Sequence, residues 1–271
     1  MPAINLTGMN GRRLAVLLLD RTPRSALERL RERPRLKRML RTLVNRAVPA
    51  DRTIVTVGSG GAEGLRLLID PRCEKFYWTG GHEPHIQDAL RARLRPGMRF
   101  WDVGSHIGYF ALQAARIVGA TGCVVAFEPM PDNRTRLRRN IELNAAENVT
   151  VVASAVAAET GAMTIARTDS GIASTFTWTL ETSPNDVERR MVDVTTLDAL
   201  VGKHEIPDLV KVDAEGAEAD VLRGATLLRA AGVPFLVEFT DAAKLREAES
   251  FMPNYDFVLL ADNHYMVAPA S

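Results

Sequence analysis

This sequence predicts an α/β fold on a doubly wound, mostly parallel seven-stranded sheet, and three observations lead there. From Met98 onward, short β-rich runs alternate with amphipathic runs at helical spacing. A glycine turn preceded by an acid follows the first of those β-rich runs, where such sheets carry their ligand loop. The chain of 271 residues, 46% hydrophobic and 25% charged, has the composition of a globular protein with one large core and an appendage.

Taken in order, the elements begin with a basic arm. Residues 1–50 carry 12 Lys and Arg against 3 Asp and Glu (+9), leaving 22 against 30 (−8) for the remainder. Between Ala26 and Val48, Leu27, Leu30, Leu36, Met39, Leu40 and Leu43 recur at helical spacing, interrupted at Pro34, which predicts helices with a solvated basic face. The same pattern also suits an anionic membrane, a phosphate-rich partner or a homo-oligomer interface, and the residues do not choose among these. Thr53 to Asp70 reads as a hairpin around Gly58–Gly61, which lacks the Lys-Ser/Thr of a P-loop. The domain boundary is placed between 75 and 76.

Glu83 to Leu94 reads as a helix stopped by Pro96-Gly97. A strand (Met98–Val103), helix (Ile107–Val118), strand (Cys123–Phe127), helix (Pro131–Ala145) and strand (Val149–Val156) follow, the half-unit of a doubly wound sheet. Thr-rich pieces at Met163–Ala166, Ser174–Trp178 and Arg190–Val194 predict a β-excursion after the third strand. The alternation resumes with a short helix (Leu197–Val201), a strand (Leu209–Val212), a helix (Ala217–Ala230), a strand (Phe235–Phe239) and a helix (Ala242–Phe251). Asp256–Leu260 and Tyr265–Ala268 then form an antiparallel closing hairpin.

Composition narrows the function classes. Cys73 and Cys123 are the only cysteines and make neither a disulfide framework nor a zinc site. Leu14–Leu19 is too short for a transmembrane segment, so the protein reads as intracellular and cytoplasmic. No RNA-binding motif or aromatic-interleaved basic face points to nucleic acid.

The candidate site is the loop Asp102-Val103-Gly104-Ser105-His106-Ile107-Gly108. Gly104 allows a tight turn, Gly108 permits close helix packing, and the helix N-terminus is expected to offer unpaired N–H groups to an anion. The spacing is not the G-x-G-x-x-G of nicotinamide enzymes. Asp102, just before the turn, would repel a pyrophosphate and attract the ammonium of an amino-acid-bearing cofactor, which favours S-adenosylmethionine (SAM). Glu128, ending the second strand, is expected to accept both ribose hydroxyls. Asp213 and Glu238, at the ends of the next two strands, should point into the cleft, whereas Glu215, Glu218 and Asp241 read as helix N-terminal acids.

Several segments together resemble the FkbM-type methyltransferases: Phe76-Tyr77-Trp78-Thr79-Gly80-Gly81-His82-Glu83-Pro84, Phe100 to Phe110, Ala126-Phe127-Glu128-Pro129, Thr196-Leu197-Asp198, Lys211 to Glu218 and Leu222-Arg223-Gly224-Ala225. They keep the family's order across about residues 76–240. The resemblance implies a class I, Rossmann-like fold and SAM-dependent methyl transfer to a hydroxyl of a natural product, sugar or lipid-linked acceptor. It implies Asp102, Gly104, Ser105, His106, Gly108, Glu128 and Pro129 as the cofactor site, with Glu83 near the methionine moiety. Ser105-His106 departs from the family's usual Ala-Asn, so His106 is a candidate ligand of the cofactor carboxylate or a base.

An alcohol acceptor gains from a base that takes its proton, and Asp213, then Glu238 and His106, are the candidates. No metal site is assigned; Asp213 and Glu238 as Mg2+ ligands are the alternative, but the sequence shows no third ligand. The rival readings are a nicotinamide-dependent oxidoreductase and a non-catalytic scaffold that keeps the fold.

Overall fold

The computed structural model describes residues 52–71, 73–168, 178–179 and 186–270. The expected arm helices, and residues 174–177 of the second Thr-rich piece, lie outside the described residues. Period-two burial organises the core. On strand β3 (Arg99–Val103), Phe100 faces one side of the sheet while Trp101 and Val103 face the other. The same alternation separates Leu209 from Val210 and Val212 on β10 (Leu209–Val212), and Leu236 from Phe235 and Val237 on β11 (Phe235–Glu238). Both faces of these strands are therefore apolar, as a sheet covered on both sides demands.

One face is covered by α2 (Pro84–Arg93), α3 (Tyr109–Val118) and α4 (Pro131–Leu143), through Leu90, Leu112 and Leu137. The other is covered by α5 (Glu218–Arg223), α6 (Thr226–Ala230) and α7 (Ala242–Phe251), through Val221, Leu228 and Ala248. With β4 (Cys123–Phe127), β5 (Val149–Val152), β12 (Tyr255–Ala261) and β13 (His264–Pro269), the seven-stranded order is β12-β13-β11-β10-β3-β4-β5. Pairing is parallel from β11 across to β5, and β13 runs antiparallel to both β11 and β12. The chain leaves β3 for β4 and β5, then crosses back to β10 on the other side of β3. The order reverses between β3 and β10, which is where a crevice opens.

Several boundaries differ from the sequence reading for physical reasons. Val149–Val156 is two strands: after Val152 the chain leaves the sheet, and β6 (Ala155–Val156) pairs with β9 (Asp186–Thr195) in a second sheet with β7 (Gly161–Thr168) and β8 (Trp178–Thr179). This is the β-excursion. The helix expected over Ala217–Ala230 is broken at Gly224-Ala225, because the Leu227 amide turns to donate to Asp198 Oδ1 at 2.9 Å and starts a new helix. The hairpin β1 (Thr53–Thr56) and β2 (Arg66–Ile69) forms as expected, yet its Leu67 and Ile69 share one core with Leu90, Phe100 and Leu112. Asn140 on α4 and Asn144, its C-cap, bond the backbone of Leu68 and Arg66. A short helix the sequence reading left unassigned, α1 (Lys75–Thr79), carries Tyr77 and Trp78 inward. No helix among the described residues is long and apolar enough to cross a membrane.

Candidate active site

The loops after β3 and β10 meet at the reversal point. A Cβ on Gly104, which has φ +79°, would lie 1.8 Å from the Asp213 carbonyl oxygen, so only glycine lets the loops touch. Gly108, with φ +90°, caps α3 where a Cβ would strike Leu137 Cδ1 at 2.4 Å. The amides of the loop ahead of α3 are already engaged. The Gly104 and Ser105 N–H groups donate to the Phe127 carbonyl at 3.1 and 2.9 Å, and His106 N–H donates to Glu128 Oε2 at 2.9 Å. These donors tie the loop to β4 instead of facing an anion.

Above the loops lies a cavity of about 570 Å3. Of the residues singled out in the sequence, Glu83, Gly104, Ser105, His106, Glu128, Pro129, Asp213 and Glu238 line it, and Asp102 and Gly108 do not. The excursion contributes Met163, Ile165, Glu188 and Arg190 to its wall, and the segment before α2 contributes Arg52, Asp70, Cys73 and Glu74.

Asp102 sits behind this wall, 1% exposed, with neither carboxylate oxygen in a hydrogen bond of normal geometry. Burial pushes its pKa up to about 6; Lys211, its register neighbour on β10, pulls the other way, as does the Ala111 amide. Its side chain is not among those lining the cavity, whereas that of its register neighbour Lys211 is.

Glu128 is 4% exposed and directly follows β4. Its Oε1 accepts from Met130 N–H at 2.8 Å and Asn133 Nδ2 at 3.3 Å, and its Oε2 accepts from His106 N–H. Each carboxylate oxygen has two lone pairs, so one acceptor position on Oε2 is left. The expected bidentate grip on two hydroxyls thus needs Asn133 to give way. Burial outweighs these hydrogen bonds and raises the pKa to about 7.

His106, in the left-handed region at φ +50°, is held from both sides. Nδ1 is 3.0 Å from the Tyr77 hydroxyl and Nε2 is 3.4 Å from an Arg136 amino group. Arg136 in turn donates to both oxygens of Glu74 at 2.7 and 2.8 Å, and both residues are only 6% exposed. Desolvation, reinforced by Arg136, lowers the His106 pKa. The side chain is 37% exposed, so water on its open side offsets part of the desolvation without changing the direction. A neutral imidazole with both nitrogens engaged and lowered basicity is a poor proton acceptor, which weighs against the role of base.

The acids at the strand ends separate into two groups. Asp213 Oδ2 lies 3.1 Å from Lys211 Nζ, itself buried and 5.2 Å from the centre of the Phe110 ring. Burial raises the Asp213 pKa against the pull of Lys211. Glu238 is instead paired with His264, 3.4 Å away, whose imidazole pulls the carboxyl down to about 2. His264 lies equally close to Glu83, and the two carboxylates raise its pKa to about 9 against the opposing effect of burial. Burial would raise the Glu83 pKa, but His264, His82 and Lys211 together bring it below the ordinary value. Of the Asp213–Glu238 pair weighed as Mg2+ ligands, Asp213 faces the Lys211 ammonium, and Glu238 faces His264, which also meets Glu83.

Sequence reasoning missed Glu74, Arg136, Lys211 and His264. A lysine inside an apolar strand was a usable signal for Lys211; nothing local marks the other three. It also misplaced Glu215. Glu218 opens α5 and Asp241 caps α7, accepting from Ala243 N–H at 2.7 Å, but Glu215 stands in the loop at φ +48° and lines the cavity. Burial and the nearby Asp213 carboxylate raise its pKa to about 8, although its side chain also reaches solvent.

Numbered within the seven-stranded sheet, the order is 3-2-1-4-5-7-6, with a cleft at the reversal point and an acid closing the second strand, which defines the class I methyltransferase fold. The methyltransferase FkbM domain matches residues 102–259, more than half of the chain, and the chain belongs to that family. A hexuronic acid methyltransferase, AglP of Haloferax volcanii, is 33% identical over 145 residues, which cover 52% of this chain and 56% of that protein. The chain thus spans about half the length of that curated relative. Among solved structures, TrmN from Thermus thermophilus aligns with a TM-score of 0.45 at 16% identity, over 68% of this chain and 47% of that one. The precorrin-6y C5,15-methyltransferase of Geobacter metallireducens aligns at 0.43 and 14%, over 71% and 90%.

Proposed function

We propose that the chain is a SAM-dependent methyltransferase that methylates a hydroxyl oxygen of an acidic sugar. The observation that carries this reading is the cavity at the strand reversal, bounded by the Gly104–Gly108 loop and by Glu128 with one acceptor position left. Glu128 suits a ribose hydroxyl, and the apolar Phe127 and Met130 beside it suit a base. SAM supplies a methyl group already activated on a positively charged sulfur. The protein's task is then to hold the acceptor in line and exclude water. Asp213, an acid of raised pKa lining the cavity, is the group placed to take the acceptor's proton, ahead of Glu238 and His106, whose basicity is lowered. Arg52 and Arg190 in the wall suit an acceptor carboxylate, in keeping with the acidic sugar named for the Haloferax relative.

The test is transfer of an isotope-labelled methyl group from SAM to uronic acid glycosides and to their neutral counterparts. The expected product is a base-stable methyl ether formed on the acidic sugar, with Asp213→Asn slowing turnover while S-adenosylhomocysteine affinity is kept. Label appearing as a base-labile ester would overturn the hydroxyl assignment. Transfer to neutral sugars alone would overturn the acidic one.

A further inference from the structure

We propose that Glu83, Glu238 and His264 form a binding site for a divalent first-row transition-metal cation, opening on the cavity. The three residues come from distant parts of the chain: Glu83 caps α2, Glu238 ends β11, and His264 begins β13 opposite it in register. One ligand atom from each lies within 4.8 Å of the others. His264 Nε2 is 3.4 Å from the Oε2 of each glutamate. Two metal–ligand bonds of about 2.1 Å at a tetrahedral angle set their ligand atoms about 3.4 Å apart.

An ordinary hydrogen-bonded triad does not account for this arrangement. Glu83 Oε2 and His264 Nε2 are both buried with no hydrogen-bond partner, and His264 is 5% exposed. Their only partners are these long ion pairs, which leave the buried lone pairs without a well-formed hydrogen bond, so the point on which they converge suits a cation. The remaining oxygens are oriented from outside, as metal ligands usually are. His82 Nε2 lies 3.2 Å from Glu83 Oε1, and Asn263 Nδ2 donates to Glu238 Oε1 at 3.1 Å. The His85 ring packs edge-on against His264 at 4.5 Å between centroids.

Charge agrees once the ion displaces the imidazolium proton of His264: Glu83, Glu238 and Asp213 with Lys211 then sum to −2, which a dication cancels. An imidazole among the donors selects a transition metal over Mg2+, which prefers oxygen alone. Glu83 and Glu238 line the cavity, so open coordination positions face it. A role for the ion in gripping acceptor oxygens rests on the proposed methyl transfer; its binding does not.

The experiment is calorimetric titration of the full, chelator-stripped chain with MnCl2 and with ZnCl2, alongside separate titration with S-adenosylhomocysteine. One equivalent of metal per chain is expected, with Mg2+ binding more weakly. Glu83→Gln, Glu238→Gln and His264→Gln should each abolish that equivalent, and Asn263→Ala should weaken it about tenfold. Circular dichroism and an unchanged urea midpoint show that a variant is folded, and retained S-adenosylhomocysteine binding by His264→Gln and Asn263→Ala, whose side chains do not line the cavity, separates failure of the metal site from failure of the cofactor reading. No binding of either metal by the folded chain, or binding unchanged in all three ligand variants, overturns the proposal.

Discussion

Replacing Glu128 by Gln changes stability and ligand affinity in ways the structure specifies. Its carboxyl titrates near 7 in the folded chain against an ordinary 4.5, because burial outweighs the bonds from Met130, Asn133 and His106. Between those values the folded chain holds a proton that the unfolded chain has lost. The associated stability is complete below about pH 4.5 and is lost as pH rises through about 7, a decline of about 3 kcal/mol. Gln carries no titrating group and removes that slope. Its amide must also meet the His106 N–H with an acceptor or leave it unpaired, which costs about 1–3 kcal/mol. Urea denaturation of both proteins should therefore find Glu128→Gln less stable at pH 5 and close to parity at pH 8. The groups common to both chains cancel in the comparison. Loss of a charge-assisted hydrogen bond to a ribose hydroxyl should weaken S-adenosylhomocysteine binding on the order of 10- to 100-fold at pH 8. A stability difference that does not change between pH 5 and pH 8 would refute the reasoning about burial.

Three other outcomes follow from the same geometry. Asp102→Asn should weaken S-adenosylhomocysteine binding less than Glu128→Gln does, since Asp102 lies behind the cavity wall; equal losses by calorimetry would show that it touches the ligand. Glu74→Gln breaks a buried ion pair and leaves Arg136 uncompensated, a loss of about 3–5 kcal/mol that should lower Tm on the order of 10 °C by calorimetry. An unchanged Tm would mean the pair contributes nothing. Gly104→Ala drives a Cβ into the Asp213 carbonyl at a positive φ, so little folded protein is expected from expression and circular dichroism, whereas a chain of normal stability would contradict the loop contact.

Much of the parallel sheet was readable because its strands are short apolar runs bounded by turns. Cys123–Phe127, Leu209–Val212 and helix Ala242–Phe251 fall where the pattern puts them. The departures arise where tertiary contacts override a local pattern. Ala155–Val156 continues an apolar run but leaves the sheet to pair with β9, and the Ala217–Ala230 run is cut by Asp198 from a distant turn. The site divides in the same way. Glu128, Asp213 and Glu238 are strand-end acids, and a strand end is visible locally. Arg136 lies on a helix face that reads as solvated, yet Glu74 buries it, and His264 belongs to a closing hairpin with no chemical motif. Asp102 was visible as an acid before a glycine turn, but the alternation that points it into the core beside Lys211 becomes clear only when β3 and β10 are in register.

The cavity beside Glu128 is the proposed site for the adenosyl cofactor. Calorimetric titration with S-adenosylhomocysteine and, separately, with NADH tests this most directly, using the full chain and its Glu128→Gln variant. One S-adenosylhomocysteine per chain, weakened in the variant, with no heat from NADH, is the predicted result. Binding of NADH alone, or S-adenosylhomocysteine affinity unaltered by the substitution, would contradict it.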